Sequence, residues 1–464
     1  MMKKKLKKFS VPHTYTLIFI LVLITGISTW LIPSGVYDRE VVDGREVVIS
    51  GTYHEAEANP QGFIEIFRSP IDGFVDAAEI IGFVLLVGGS FGIINKTGAI
   101  EASIGVAVKK LKHRAYLLIP VCMVIFGLAG SIAGMGEELI PFYMIFVPLM
   151  CSLGYDTLTG VSVVFIASEL GFMASTTNPF TVGIAQALTQ LAPGSGIGYR
   201  TVIFVILMLT GIIYVMLHAR KVKARPESSI VYEYDLANKD HFTIDFDSIH
   251  NFTVRRLIVL LMFLAGMGLI VYGVLELGWY VSDIAMVFTA VGIIGGIIGG
   301  LKQSEICESF ISGMTDVISA AFVLGLARAI VVLAQNGNII DTILYSSAEF
   351  LDGMPDVLYI NLVMIFEGIM SILIPSGSGL AALTMPILGP LSDLQDISVQ
   401  MTITAFHLGK GIISVVTPTS GILITALAVA KIPYAKWFRF IMPLVGIITL
   451  ITVTVLSVGL LTGA

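Results

Sequence analysis

The stretch Gly130-Ser-Ile-Ala-Gly-Met-Gly-Glu137-Glu138-Leu-Ile-Pro141 places two carboxylates and three glycines inside an apolar part of the chain. The apolar runs on either side, Tyr116–Leu128 and Phe142–Leu153, are short, whereas a helix needs about 20 residues to cross a hydrocarbon core of roughly 30 Å. We therefore expect two arms that meet near mid-membrane as a re-entrant hairpin. Irregular backbone at that depth is tolerated only inside protein or beside a watery cavity, so the tip predicts a functional site.

Composition assigns the chain to the polytopic membrane class. Of 464 residues, 56% are hydrophobic and 13% charged, and the mean hydropathy is +0.91, which excludes an ordinary soluble domain. Basic runs at residues 1–12, 109–114 and 218–225 predict a cytoplasmic N-terminus in the cytoplasmic (inner) membrane. The three cysteines form no disulfide or metal pattern. We expect an all-α multi-pass protein whose partners are the lipid bilayer and a small-molecule substrate, with no cofactor, metal or nucleic acid.

A second irregular stretch follows the hairpin. The apolar run 157–191 is interrupted by Ser175-Thr-Thr-Asn-Pro-Phe180, where proline and the residue before it break the helical hydrogen-bond ladder. This pattern predicts a broken helix made of two half-helices.

The second half of the chain repeats these features at nearly constant shifts. The matches are residues 83–100 with 322–339 at a shift of 239, Phe126 and Ser131 with Phe366 and Ser371 at 240, and Thr176 with Thr417 at 241. Counting spans gives the second copy the opposite orientation in the membrane to the first. Inverted repeats with broken helices are typical of secondary transporters whose site lies between the copies.

This organisation predicts five regions. They are a basic cytoplasmic tail at 1–12, a first repeat at 13–219 (hairpin about 116–153, broken helix 157–191), a cytoplasmic linker at 220–255, a linking transmembrane helix at 256–277, and a second inverted repeat at 278–464 (hairpin about 356–391, broken helix 396–430). Glycines at 292, 295, 296, 299 and 300 predict a close helix contact, either within the subunit or across a dimer.

The chain resembles the YfcC-like branch of the DcuC-type carriers, within the ion transporter superfamily. The resemblance covers essentially the whole chain and rests on residues 9–16, 32–38, 375–380 and 417–421. It implies a homodimer with a scaffold domain and a transport domain that moves like an elevator. Carboxylate members carry Ser-Asn-Thr at both hairpin tips, whereas this chain has Ser131-Ile-Ala-Gly and Ser376-Gly-Ser-Gly. YfcC-like proteins are described as basic amino-acid carriers.

The polar groups at the two tips and two breaks are the predicted substrate-binding residues. They are Ser131, Gly136, Glu137, Glu138, Thr176, Thr177, Asn178, Ser376, Gly377, Ser378, Gly379, Thr417, Thr419 and Ser420. A desolvated carboxylate needs a proton or a cation nearby, and the start of a helix suits a carboxylate ligand. The alternatives are that one glutamate caps the second arm and that the hydroxyls only satisfy freed backbone groups.

Five further residues at apparent membrane depth are predicted to couple ions or compensate charge: Glu169, Lys410, Glu367, Arg328 and His407. Glu169 and Lys410 differ by 241, so they occupy equivalent positions and are expected to approach each other or a shared cavity. They form either a structural ion pair or a charge-compensating pair in which Lys410 replaces a sodium ion. Arg328 either neutralises a hairpin carboxylate or packs at a domain edge.

The predicted function is secondary active transport of a small polar organic solute by elevator-type alternating access, through exchange or coupling to H⁺ or Na⁺. A basic amino acid such as arginine or ornithine, or a small peptide, suits acidic Glu137 and Glu138 opposite the hydroxyl-rich tip at 376–379. A C4-dicarboxylate or other carboxylate is the alternative substrate. Gly88-Gly-Ser90-Phe-Gly92 matches a hydrolase elbow but lies in a helix, and no Walker loop is present. An intramembrane enzyme or a channel is therefore only a distant alternative.

Overall fold

The computed structural model describes residues 14–42, 45–111, 114–242 and 253–463. The predicted basic tail at 1–12, residues 112–113 of the second basic run, and residues 243–252 of the predicted linker lie outside this range. Ten helices in the described part are long and apolar enough to cross a membrane. The expectation of an all-helical, multi-pass membrane protein is thereby confirmed.

The first half of the chain contains nine helices in its described part. They are α1 (Thr14–Leu31), α2 (Phe63–Asp76), α3 (Ala78–Lys96), α4 (Ala99–Leu111), α5 (Ala115–Ala133), α6 (Ile140–Ser152), α7 (Thr157–Ala174), α8 (Ile184–Leu188) and α9 (Ile197–Ala224).

The second half continues in the same manner. Its described helices are α10 (Tyr232–Ala237), α11 (Lys239–Phe242), α12 (Val254–Glu276), α13 (Val281–Gly299), α14 (Gln303–Asn336), α15 (Ile340–Leu351), α16 (Asp356–Leu373), α17 (Gly377–Leu394), α18 (Val399–Ser414), α19 (Gly421–Val429) and α20 (Tyr434–Thr462).

Between α1 and α2 the chain forms two small antiparallel hairpins. Strand β1 (Gly35–Val36) pairs with β4 (His54–Glu55), and β2 (Arg39–Val42) pairs with β3 (Arg45–Val48). Helix α2 follows these hairpins, and its apolar residues Phe63 and Ile71 are 75% and 68% exposed.

The first predicted hairpin consists of α5 and α6 joined by a tight tip. Helix α5 is 19 residues long, about 28 Å at 1.5 Å per residue, so the expectation of a short first arm was wrong. The helix continues past Gly130. This glycine packs closely against α7, where a β carbon would lie 2.2 Å from the backbone carbonyl oxygen of Ser168. The helix ends before Gly134, which has a left-handed φ of +65°. The second arm, α6, has only 13 residues.

The second hairpin consists of α16 and α17, each of 18 residues, joined by residues 374–376. Each hairpin is followed by a helix broken in the middle. In the first, α7 ends at Ala174, and a single π-helical turn at Pro179–Gly183 leads into α8. In the second, α18 ends at Ser414 and α19 begins at Gly421. The two predicted pairs of half-helices are present.

The order of elements is the same in the two halves. A membrane helix, a short helix, two hairpin arms, a broken helix and a long closing helix follow one another in α3–α9 and again in α14–α20. Arm α5 packs on α7, and arm α16 packs on α18. The turns after α3 and α14 each contain a left-handed residue, Gly98 (φ +70°) and Asn338 (φ +54°).

The glycine-rich face of α13 packs within the subunit. A β carbon at Gly292 would lie 2.8 Å from the Ser90 β carbon of α3, and one at Gly295 would lie 2.5 Å from Ile94. Small residues allow helices to approach this closely. Of the two readings of this face, the described structure uses the contact inside one chain.

Candidate functional site

The two hairpin tips and the two helix breaks converge. A β carbon at Gly136 in the first tip would lie 2.5 Å from Ile422 Cδ1, just beyond the second break. A β carbon at Gly377 in the second tip would lie 2.6 Å from Thr181 Cγ2, just beyond the first break. Each tip therefore meets the broken helix of the other half of the chain. The sequence-predicted substrate-binding segments come together in one place.

Two carboxylates share one lysine at this place. Lys410 of α18 is 8% exposed, and its ammonium lies 4.7 Å from the centre of the Phe172 ring. It interacts electrostatically with Glu169 of α7 and with Glu137 of the first tip. Within the described residues, neither carboxylate forms a direct ion pair with it. The expectation that Glu169 and Lys410 approach each other or a shared cavity stays a prediction, and Glu137 is a further carboxylate that interacts with the lysine.

The two tip glutamates have different surroundings. The Gly136 backbone N–H donates to Glu138 Oε2 at 2.8 Å, so Glu138 stabilises the conformation of the tip; the first turn of the second arm, α6, contains no acidic residue. Glu137 interacts with Lys410, and its side chain is half-buried. Tyr143 of α6, which is fully buried, interacts with both Glu137 and Glu169. Of the two tip glutamates, Glu137 is therefore the one that interacts with Lys410.

Hydroxyl and amide groups hold the first break against the first tip. The Thr176 N–H donates to Ser131 Oγ at 3.1 Å, and the two hydroxyls also lie 3.1 Å apart. Asn178 is fully buried, and its Oδ1 accepts from the Phe180 N–H at 3.0 Å. Thr177 is exposed. These side chains thus satisfy freed backbone groups, and Thr176 is also partly exposed.

Arg200, which the sequence analysis did not single out, completes the first break. It is 1% exposed at the start of α9, and it donates to the Ser175 carbonyl at 3.0 Å and to the Thr176 carbonyl at 3.2 Å. A third bond runs to Gln400 Oε1 at 2.7 Å. Arginine suits this task because its planar group carries five donors. The available signal was an arginine in the first turn of an apolar helix.

The second break has an equivalent arrangement built from aromatic residues. The indole N–H of Trp437 donates to the Val415 carbonyl at 3.0 Å, and the Tyr434 hydroxyl donates to the Val416 carbonyl at 2.5 Å. Trp437 and Arg200 both occupy the fourth position of the helix that follows their break. Each break is thus stabilised by the next helix.

The hydroxyls of the second break bond locally. Thr417 Oγ1 and Thr419 Oγ1 lie 2.8 Å apart, and Ser420 accepts from the Leu423 N–H at 3.4 Å as the cap of α19. All three side chains are buried. These contacts agree with the alternative in which the break residues satisfy their own backbone.

The second tip presents the start of α17. Ser376 caps this helix by accepting from the Gly379 N–H at 3.2 Å, and Ser378 lies 3.2 Å from the Ser376 hydroxyl. Residues 376–378 are half-buried and Gly379 is exposed. The Cε atom of Lys410 would lie 3.3 Å from a β carbon at Gly377. A helix start next to an ammonium group favours negative charge.

The remaining candidates make other contacts. Arg328 pairs with Asp76 of α2, so it does not neutralise a hairpin carboxylate, and that alternative is wrong. His407 is fully buried between the rings of Phe406 and Phe172, at centroid distances of 4.7 and 5.7 Å. Glu367 is fully buried inside the second hairpin.

These observations define a polytopic membrane protein with paired hairpins and broken helices around a small charged cluster. The family model described as "DcuC: C4-dicarboxylate anaerobic carrier" matches residues 11–461. The chain belongs to this family of transporters, so the resemblance found in the sequence is confirmed.

Two curated relatives align over nearly the whole chain. "Putative basic amino acid antiporter YfcC" of Escherichia coli strain K12 is 32% identical, with 96% of this chain and 95% of the relative covered. A Haemophilus influenzae protein described as uncharacterized is 31% identical over 97% of this chain and 96% of its own length.

Two solved transporters also align along the chain. The Alcanivorax borkumensis YdaH transporter covers 97% of this chain and 99% of its own at 14% identity and a TM-score of 0.44. Neisseria gonorrhoeae MtrF, reported in a study of antimetabolite efflux pumps, covers 97% and 96% at 16% identity and a TM-score of 0.43.

Proposed function

We propose that this protein is a secondary active transporter for a basic amino acid such as arginine or ornithine. It carries the solute by exchange or by coupling to an ion, with alternating access of the elevator type. The site is the convergence of the two hairpin tips and the two breaks. The description of the E. coli relative as a basic amino acid antiporter supports this substrate class.

The charge balance at Lys410 carries the proposal. Its single ammonium interacts with the carboxylates of both Glu169 and Glu137. Arg200, at the first break, donates to carbonyls and to Gln400 instead. One negative charge is left for the solute to complement, and an amino or guanidinium group does so. Because Lys410 and Glu169 are buried, that complementarity is worth more than it would be at a surface.

The other end of the solute fits the second tip. The carboxylate of an amino acid is accommodated by the start of α17, where backbone N–H groups and the Ser376 and Ser378 hydroxyls are available. Glu137 and the start of α17 belong to opposite tips. A zwitterion with a cationic side chain would bridge Glu137 and the start of α17. Such a bridge between the two tips would exist only when the site is occupied.

The same contacts support inverted repeats as the basis of movement. Gly136 meets Ile422 while Gly377 meets Thr181, which is the reciprocal pattern that a two-fold axis produces. Both hairpins and both broken helices would then form the transport domain, with the long helix α14 in the scaffold. We further propose a homodimer in the cytoplasmic membrane, with the N-terminus on the cytoplasmic side.

A C4-dicarboxylate is the second candidate substrate. The description of the matching family names such a carrier, and the start of α17 beside Lys410 suits a carboxylate. Glu137 and Glu169 oppose a dianion unless one of them is protonated. The two candidates therefore differ in the sign of charge that the cluster requires.

Counterflow in proteoliposomes tests the proposal. Vesicles are loaded with unlabelled arginine, ornithine, a small peptide or succinate, and uptake of the labelled compound is followed with and without sodium and a pH gradient. The proposal expects saturable arginine or ornithine counterflow. Succinate counterflow without any for the cationic solutes would overturn the substrate class.

A further inference from the structure

The second hairpin encloses a carboxylate without a partner. Glu367 on α16 is 0% exposed, and neither Oε1 nor Oε2 has a hydrogen-bond partner among the described residues. An unpaired charge in such surroundings costs several kcal/mol, so the group takes up a neutralising ligand instead. Its surroundings decide which ligand fits.

Few polar groups face Glu367. The Thr384 hydroxyl of α17 lies beside it, but this hydroxyl donates to the Leu380 carbonyl at 3.0 Å. Tyr359, two helical turns earlier on α16, interacts with it electrostatically.

The titratable groups of the other packed helices have their own surroundings. On α18, Lys410 interacts with Glu169 and Glu137, and the ring nitrogens of the buried His407 have no hydrogen-bond partner among the described residues. On α15, Asp341 pairs with Arg39 at 2.8 Å. On α14, Arg328 pairs with Asp76, and on α20 Lys436 lies over the Tyr234 ring at 5.5 Å.

A proton fits this place, and a metal cation does not. Hard cations collect several oxygen ligands, whereas one carboxylate and one side-chain hydroxyl are near here, and the described residues contain no group of three or more His, Cys, Asp or Glu side chains that could hold a metal ion. A proton needs a single carboxylate oxygen. It also removes the charge, which suits a side chain packed between three helices.

Buried hydroxyl groups lie together at the base of the hairpin. Tyr359 lies beside Ser392 of α17 and Thr402 of α18, and all three are fully buried. Tyr359 donates to the Leu388 carbonyl at 3.4 Å and Ser392 to the Gly389 carbonyl at 2.8 Å, whereas Thr402 Oγ1 has no hydrogen-bond partner among the described residues. Ionisable side chains at membrane depth, such as Glu367, mark ion and proton pathways.

Glu367 also adjoins the contact that links the hairpin to the broken helix. Its neighbour Gly368 packs against α18, where a β carbon would lie 3.0 Å from the Gly409 carbonyl oxygen. Gly409 directly precedes Lys410. A change of charge at Glu367 thus acts beside the lysine of the solute site.

We infer that Glu367 is the binding site of a coupling proton, which it takes up and releases in each transport cycle. The inference rests on the proposed function as a secondary transporter and holds for either substrate class. The proton adds to one carboxylate oxygen and leaves from the same atom, so no further reactant is involved.

The direct test compares infrared spectra of the purified full-length wild type and its variants, all recorded without solute. A protonated-carboxyl band is expected in the wild type, absent from Glu367→Gln and retained in Glu349→Gln, a control on α15. In Thr384→Val the band shifts because the neighbouring hydroxyl is gone. If Glu367→Gln fails to fold, the shift in Thr384→Val decides. A wild-type spectrum without such a band overturns the inference.

The transport test uses whichever solute shows counterflow. Glu367→Gln, which imitates the protonated state, is expected to keep counterflow while a pH gradient no longer stimulates its uptake; Glu349→Gln keeps both. Gradient-driven uptake by Glu367→Gln equal to that of the wild type overturns the inference. If no cationic solute shows counterflow, only the proposed substrate class is overturned, because the infrared band is measured without solute.

Discussion

Gly377 packs against Thr181, and Gly136 stands in the same relation to Ile422, with contacts of 2.6 and 2.5 Å for the β carbons that the glycines lack. The residues correspond at one shift, since 377 − 136 = 241 and 422 − 181 = 241. The tips and breaks of the two halves therefore touch reciprocally, around the cluster of Lys410, Glu169 and Glu137.

A cysteine pair tests this contact. In a background without Cys122, Cys151 and Cys307, the double variant Gly377→Cys/Thr181→Cys is expected to form a disulfide, because bridged β carbons lie about 3.5–4.5 Å apart. Mass spectrometry of the digested protein detects the bridge. The pair Gly353→Cys/Thr181→Cys serves as the control, since Gly353 has open space around it. Equal bridging in both pairs would contradict the packing.

The shared lysine predicts non-additive effects. Lys410→Met removes the cation that interacts with two carboxylates and is expected to lower the free energy of unfolding, with a coupling to Glu169 of about 0.5–3 kcal/mol, the range for residues of one charged network. Adding Glu169→Gln removes one carboxylate, so the double variant should regain part of the loss. Unfolding of the detergent-solubilised variants measures the cycle. Strictly additive losses would show that the two residues do not interact.

The donors at the second break predict a stability effect at Trp437. Trp437→Phe leaves the buried Val415 carbonyl unsatisfied, which costs about 1–3 kcal/mol. Trp30→Phe is the matched control, because Trp30 makes a similar bond of 3.0 Å to the Gln61 carbonyl but is 65% exposed. Thermal unfolding compares the two. An effect of Trp437→Phe no larger than that of the control would contradict this role.

The polar segment after α9 predicts a pH dependence. Asp235 accepts from the Thr157 N–H and hydroxyl at 3.2 and 2.7 Å; burial nevertheless raises the pKa of Asp235 from 3.8 to about 6. The folded state thus binds the proton more tightly than the unfolded state does. The contribution of Asp235 to stability is therefore fully present below its ordinary pKa and is lost as the pH rises through the pKa of the folded state.

Asp235→Asn removes that dependence. Between pH 3.8 and about 6, the stability of the wild type relative to Asp235→Asn is expected to fall by at most about 3 kcal/mol, since one pKa unit is worth about 1.4 kcal/mol. Glu233→Gln, an exposed position on the same short helix, should follow the wild type. A constant difference across this range would refute the prediction.

Much of the fold could be predicted from local patterns. Pro179 and its predecessor identified the first break, and the Gly-rich tips identified both hairpins. The length of α5 could not be predicted, because Gly130 resembles a helix breaker in the sequence but serves close packing against Ser168.

The site was predicted in outline, and its details depend on tertiary packing. Sequence alone did not distinguish Glu137, which interacts with Lys410, from Glu138, which bonds the tip backbone. Arg200 and Trp437 were missed, because the carbonyls they satisfy lie on other helices and their role appears only once α9 and α20 are packed.

The most direct test of the account compares arginine with succinate counterflow in the wild type and in Glu137→Gln, with Glu349→Gln as the control. The account predicts arginine counterflow in the wild type and the control, and its loss in Glu137→Gln, because the unbalanced negative charge is gone. Arginine counterflow that is undiminished in Glu137→Gln, or succinate as the solute of a fully active Glu137→Gln, would contradict it.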